Sequence, residues 1–412
     1  MYARNIACCP YISLSKRLAL TGTVTLALGD QISMILKSDG SVWSTGMRGI
    51  VHYFTNIFID GATAVAAGVG YSMVLKEDAS LWARGHNSAG QLGDGTTVSK
   101  TTFFMVRIFR WAKAIAAGGF HSMVLLQNGE VWVAGWNLYG QLGLGVTSES
   151  SRIFKQVFAG AKVIAAGDTH SVVAKGDGSV WAAGRNDRGQ LGDRSLVEKN
   201  VFIQVMSSGA ANVDAGGYHS LVLGKDGSVW ATGWNEYGHL GDGPQTSRSK
   251  YVRVVSSGAK AVAAGSRHTL MLKQDGSVWG TGYNEYGQLG DGSTADRHSF
   301  VQVIPGGVKV VAAGAFHSMA LMQDGSVRAT GSNFYGQYGD GSTKSGKTFD
   351  RVSPHKNGTT TCTGMRTSRT LRVCLGSVVH FRHFTTAGGV TSTTQALSST
   401  VIAREETTGG ED

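Results

Sequence analysis

The sequence predicts an all-β fold, a seven-bladed β-propeller of four-stranded blades closed by a C-terminal strand that docks into the first blade. A small-residue segment ending in glycine recurs seven times, its glycines 39, 50, 49, 49, 49 and 49 residues apart. Between them, a two-residue turn and an aromatic-led apolar run return in fixed order, and no segment carries a helical period. Four short strands repeated at this length make propeller blades.

The anchor glycines are Gly29, Gly68, Gly118, Gly167, Gly216, Gly265 and Gly314. Three positions later stands His121, His170, His219, His268 or His317, with Ile32 and Tyr71 in the first two copies. A short apolar strand such as Ser220–Leu223 follows. It ends at Asp39-Gly40, Asn128-Gly129, Asp177-Gly178, Asp226-Gly227, Asp275-Gly276 or Asp324-Gly325, residue pairs that tolerate the positive φ angles of a type I′ hairpin turn. Only the second unit departs, with Asp78-Ala79. The returning strand carries Trp43, Trp82, Trp132, Trp181, Trp230 or Trp279, and Arg328 in the seventh copy. A loop then places Asn87, Asn137, Asn186, Asn235, Asn284 or Asn333 ahead of Gly-Gln-Leu-Gly or a close variant. The fourth strand begins with an aromatic residue, from Phe54–Ile57 to Phe349–Val352. The first unit has no such strand before it, and the last has no unit after it. Docking Phe349–Val352 into the first blade would tie the chain ends together and hide two strand edges.

Composition agrees with many tight turns and excludes several classes. The 412 residues include 59 Gly and 4 Pro, without the three-residue period of collagen. Four Cys cannot staple a fold this size, and none lies within the repeats. The net charge of +10 sits mainly in the flanks: residues 22–342 hold 26 basic and 23 acidic side chains. A body that grips a phosphate backbone concentrates positive charge on its folded surface, so direct nucleic-acid binding is disfavoured except through the basic stretch Lys344–Arg382. No apolar run reaches membrane-spanning length. The expected organisation is a disordered segment over 1–17, the propeller over 18–355 and a poorly ordered Ser/Thr-rich tail over 356–412. A cytoplasmic or nuclear monomer is the favoured expectation; neither Cys8-Cys9 nor the acid-free N-terminus amounts to a signal.

The stretch Val262–Ser293, with Gly265, His268, Asp275-Gly276, Trp279, Asn284 and Gly287-Gln288-Leu289-Gly290, resembles the RCC1-like repeat family, that of the regulator of chromosome condensation. The resemblance covers residues 23–352 and implies the propeller that the strand count gives. It also implies a range of functions, among them nucleotide exchange on a Ran-like small GTPase. In the exchange factors a hairpin inserted in one blade acts as a wedge, whereas four equal spacings of 49 here leave no room for one between Gly118 and Gly314. The family's light sensors carry tryptophan in a Gly-Trp-Arg-His-Thr motif; this chain reads Gly265-Ser266-Arg267-His268-Thr269.

The meander sends the anchor loop and the Asn loop to one face and the short turns to the other. Binding residues sit on loops held by a rigid scaffold. On the long-loop face the variable positions are Phe120, Trp136, Arg185, Tyr218, Trp234, Arg267, Tyr283 and Phe316, the residue types that dominate protein-binding hot spots. These eight are the expected partner-binding residues. The regular Tyr139, Tyr237, Tyr286 and Tyr335 are expected to pack between loops. One histidine per blade cannot converge on an ion, so structural roles bonding backbone groups are expected for the five. Asp94, Asp193, Asp242, Asp291 and Asp340 supply one carboxylate per loop and read as turn-formers. No nucleophile–base set or phosphate loop is evident, so no enzyme and no cofactor is expected. A non-enzymatic interaction scaffold follows, with guanine-nucleotide exchange as the family's alternative.

Overall fold

The structure, a computed structural model, describes residues 22–46, 52–58, 60–106, 111–147 and 150–352, and the backbone of two short strands further on. Those strands, Thr393–Gln395 and Ile402–Arg404, pair antiparallel. The segment 1–17, the rest of the tail and most of the basic stretch lie outside the described residues.

Seven four-stranded antiparallel sheets form a seven-bladed propeller, and the described residues contain no helix. In blade 6 the strands are Ala259–Ala264, His268–Lys273, Val278–Gly282 and Arg297–Ile304, paired in that order. A hairpin turn forms between the second and third, but not the expected type I′, which needs a positive φ at both residues: only Gly276 has one, at 80°, and its N–H donates to the Lys273 carbonyl at 3.1 Å. Asp275 accepts from the Ser277 amide at 2.8 Å and hydroxyl at 2.6 Å, and Trp279 Nε1 donates to that hydroxyl. The tryptophans are half-buried rather than sealed in the core, with lysines such as Lys273 over their rings. Between blades, aliphatic residues of the second and third strands pack into clusters such as Leu221, Leu223, Val229, Ala231 and Met271.

The ring is tight at its axis. A Cβ on any anchor glycine would lie only 2.2–2.6 Å from the carbonyl oxygen of the next blade's anchor glycine, all the way round to Gly314 against Gly29. Real side chains cannot approach so closely, so each of the seven positions excludes even alanine.

Closure differs from the sequence expectation. The late strand Gly346–Arg351 pairs with the third strand of its own blade, Arg328 facing Arg351 and Ala329 facing Asp350. The first blade is completed by its own Thr55–Phe58, which pairs with Val42–Gly46. In a circular repeat the aromatic strand has neighbours on both sides. The hairpin to the preceding Trp strand prevails because the intervening loop returns the chain directly antiparallel. The ring is therefore closed without exchanged strands, by the contacts found between other blades. Tyr53 bridges Asp340, Gly341 N–H donates to the His52 carbonyl at 2.8 Å, and Ser33 Oγ meets His317 Nε2 at 2.9 Å.

Gly216→Ala places its methyl 2.2 Å from a carbonyl oxygen. Replacing it should lower stability by about 2 kcal/mol or more, as overpacking of a tight interior does. Denaturant unfolding of the variant beside the wild type, with an unchanged midpoint as the contrary result, checks this.

Candidate functional site

Loop folding builds the site. In blade 6 the buried Asn284 accepts from Leu289 N–H at 3.0 Å and donates from Nδ2 to Asp291 and to the carbonyls of Ser293 and Ala295. Gln288 accepts from Tyr286 N–H, and Leu289 is buried between blades. The loop thus folds on its own polar groups. Asp94, Asp193, Asp242 and Asp291 accept from the loop asparagines, and their Ser or Thr neighbours cap most of them, as expected of turn-formers.

Each loop start is stapled to the anchor loop of its blade. Trp136 N–H donates to the Phe120 carbonyl, Trp234 to Tyr218, Tyr283 to Arg267 and Ser332 to Phe316, at 2.8–3.0 Å. All eight expected residues are therefore on one face, each half-buried.

There they meet in a continuous arc. His86 meets Phe120, Phe120 meets Trp136, and Trp136 meets Tyr139, with ring centroids 5.4–6.0 Å apart. The Arg185 guanidinium then lies 4.8 Å from the Tyr139 ring and 5.3 Å from that of Tyr218. Tyr218 meets Trp234 at 5.5 Å, and Arg267 stacks over Trp234, Tyr237 and Tyr283 at 5.4–5.8 Å. Tyr283 and Tyr286 continue the arc to Phe316, and Tyr286 reaches Phe334. Tyr139, Tyr237 and Tyr286 do fill the gaps between neighbouring loops. Edge-to-face rings and stacked guanidinium groups at these spacings are mutually attractive and hold one another in place.

The two arginines differ. Arg185 makes two 2.8 Å bonds to the Asp187 carboxylate, which hold its guanidinium more firmly protonated. No salt bridge to Arg267 forms among the described residues. Burial, then the Glu285 carboxylate that its hydroxyl bonds, raises the pKa of Tyr283. Two arc-face residues escaped sequence reasoning: Leu138 and Phe334, 55% and 60% exposed. They follow the loop asparagine, where other blades carry Ser88, Asp187, Glu236 and Glu285, so a large apolar residue there was the available signal.

The axis opens on this face as a cavity of about 80 Å³ lined by inner-strand alanines and glycines. Asp30 and Asp168 lie at it. Burial, and then the Asp30 charge, raises Asp168 to about 6 against the opposing pull of Arg267. No cluster of three His, Cys, Asp or Glu suited to a metal occurs among the described residues.

The five histidines are fully buried links between blades. Their partners are side chains, not the expected backbone groups: Nε2 meets the hydroxyl of Ser171, Ser220, Thr269, Ser318 or Ser33 at 2.8–3.0 Å. Four of those hydroxyls donate their single proton to a loop carbonyl, so Nε2 must carry the ring proton. Nδ1 has no hydrogen-bond partner. Burial holds His121 and His268 at about 3 and His170 and His317 at about 4, and keeps His219 well below the usual value. His239, standing where other blades have glutamine, is likewise at about 3.

Models of the regulator of chromosome condensation (RCC1) repeat match at 112–141, 161–190, 210–238, 259–288 and 308–337. A second model of that repeat matches 128–174, 177–223, 226–272 and 275–321, so that the two together span more than half the chain. The chain belongs to the RCC1 repeat family. Three solved structures show that the RCC1 fold extends around the ring. Human WBSCR16 aligns at TM-score 0.66 and 22% identity, over 73% of this chain and 87% of that one. Yeast RCC1 (Prp20), bound to Kap60, gives TM-score 0.63 and 21% identity over 71% and 75%. Prp20p of Saccharomyces cerevisiae, studied for its binding to Gsp1p and histones, gives 0.63 and 21% over 72% and 82%. No curated protein sequence matches.

In this RCC1 propeller the buried histidines tie stability to pH. Below about pH 6.5 the unfolded chain protonates imidazoles that stay neutral in the native ring until about 3–4. Their contribution is therefore complete above pH 6.5 and lost as pH falls. Asp168 and Asp214, each raised to about 6, act in the opposite sense, but six histidines outnumber two carboxyls. The melting temperature should fall steadily between pH 6.5 and 4.5, less steeply in His170→Asn; a flat profile would contradict the assignment.

Proposed function

We propose that this RCC1-family propeller is a non-enzymatic scaffold that binds a protein partner through the arc running from Phe120 to Phe316. The observation that carries the reading is the continuity of the arc. Trp136, Tyr218, Trp234, Tyr283 and Phe316 with Arg185 and Arg267 form one half-buried surface already ordered by its own contacts. Preorganised aromatic and arginine side chains lose little entropy on binding, and such residues carry most of the energy of protein interfaces. The absence of a nucleophile–base set in the repeats supports a binding role over a chemical one. The relatives point the same way: Prp20p binds Gsp1p and histones, and yeast RCC1 binds Kap60, all proteins.

Family membership favours a second reading, nucleotide exchange on a small GTPase. Against it stand the equal spacings of 49 residues, which leave no inserted wedge between Gly118 and Gly314.

The triple variant Trp136→Ala, Trp234→Ala, Arg267→Ala should lose captured partners in a quantitative pull-down with full-length protein while keeping its melting temperature within a few degrees. An unchanged partner set would remove the arc from the binding surface. A fluorescent-nucleotide release assay over purified small GTPases should show no acceleration by the propeller; catalytic release would replace the scaffold with an exchange factor.

A further inference from the structure

The face opposite the arc, where the hairpin turns lie, carries positive charge in an arrangement that packing does not require. The innermost strand of every blade has a β-bulge near its start, where one residue stands outside the ladder to the second strand. That residue is Lys113, Lys162, Lys260 or Lys309 in blades 3, 4, 6 and 7, and Val24, Thr63 or Ala211 in the others. The second strand is the innermost strand's one partner in its sheet, so the bulge displaces its extra residue toward the axis. Valine, threonine and alanine serve the same position, so the bulge itself needs no lysine.

All four lysines are exposed. None forms an ion pair among the described residues. Lys37, Lys175 and Lys273, at the ends of second strands, instead lie over tryptophan rings. The innermost strands hold one further charged residue, Asp214, whose carboxylate accepts from the Ala215 and Ala264 amides at 2.9 and 2.8 Å. The turn carboxylates stand farther out, between second and third strands, and are likewise engaged. Asp177, Asp226, Asp275 and Asp324 each accept from a serine amide and hydroxyl, bonds that lower their pKa values. Four like charges gathered round one axis repel one another, and an anion between them removes that cost.

We propose that the hairpin-turn end of the axis binds a compact polyphosphate, several phosphate groups on one small frame, among the ammonium groups of Lys113, Lys162, Lys260 and Lys309. An ammonium is a point charge that binds phosphate well, whereas the fork geometry of a carboxylate is matched by arginine. The surrounding carboxylates set the size of the ligand. A nucleic-acid duplex or a broad acidic protein surface laid across this face would meet Asp177, Asp226, Asp275 and Asp324, while a compact anion stays inside them. The same chemistry is offered by a soluble polyphosphate and by a polyphosphorylated lipid headgroup. This site is on the face opposite the aromatic arc, and either can fail without the other.

Inositol hexakisphosphate is the probe. Isothermal titration into the full chain should show saturable one-to-one binding that weakens as salt is raised. Lys162→Ala with Lys260→Ala should weaken it at least about ten-fold, as expected on losing charge-assisted contacts, at an unchanged melting temperature. Ala211→Lys, which fills the gap between Lys162 and Lys260, should tighten it. Lys175→Ala with Lys273→Ala removes as much charge from the same face outside the ring and should bind as the wild type does. Co-sedimentation with phosphatidylcholine vesicles containing a phosphatidylinositol bisphosphate separates the two sources. Capture that depends on Lys162 and Lys260 assigns the headgroup, and hexakisphosphate binding without capture assigns the soluble ligand; both support the proposal. No saturable hexakisphosphate binding, full affinity in Lys162→Ala with Lys260→Ala, or an equal loss in Lys175→Ala with Lys273→Ala would each overturn it. So would a DNA duplex that binds through the same lysines more tightly than the hexakisphosphate, which makes the ligand a nucleic acid.

Discussion

Everything in this propeller depends on seven glycines standing almost against the carbonyls of their neighbours. The 2.2–2.6 Å separation from a notional Cβ leaves room for hydrogen alone. Seven blades can converge on so narrow an axis only if the inner strands end without side chains, and this convergence brings each second strand against the next. His121, His170, His219, His268 and His317 then span the interface to a hydroxyl, and four of those hydroxyls hold a loop carbonyl. The axis thus fixes the blades, the blades fix the histidines, and the histidines fix the loops.

The functional face inherits its rigidity from this chain of bonds. An Asn loop that satisfies its own polar groups and buries a leucine has little freedom left, so the rings it carries keep their positions. Arg185 spends its charge on Asp187 while stacking between Tyr139 and Tyr218. Arg267, at the opposite extreme, has three aromatic neighbours and no ion pair among the described residues. Two arginines on one face therefore differ in what they can offer: one is chiefly mortar, the other is available to an acceptor.

Blade number, turn position and the common face of the two loops were legible in the sequence because they are set by local pattern: a glycine spacing, an Asp-Gly pair, an asparagine before Gly-Gln-Leu-Gly. What pattern could not carry was phase. Phe349 precedes no further anchor glycine, and a repeat gives no local reason to assign it forward or back; only pairing with Ala329 and Arg328 decides. The histidine partners were hidden for a related reason, since Ser171 lies 50 residues from His121 and is itself part of the repeat. The aromatic contacts fell between these cases, with residue types readable and neighbours fixed by the curvature of the ring.

Departures from the repeat are the places where selection for packing alone gives a poor account of the sequence. At the turn before the inner strand, blades 3 to 7 and blade 2 all need a positive φ, which glycine supplies everywhere except at Trp111, where φ is 73°. A bulky residue in that conformation is strained. Tyr71, in contrast, repairs its own departure: it replaces a histidine, yet its hydroxyl donates to the His121 carbonyl at 2.6 Å and accepts from Ser122. Ile32, on the seam between blades 1 and 2, replaces a histidine with an apolar side chain and so offers no hydrogen bond across it. A ring held by equivalent interfaces opens first at the weakest of them. Without a histidine link, the seam between blades 1 and 2 is the place where the ring gives way first.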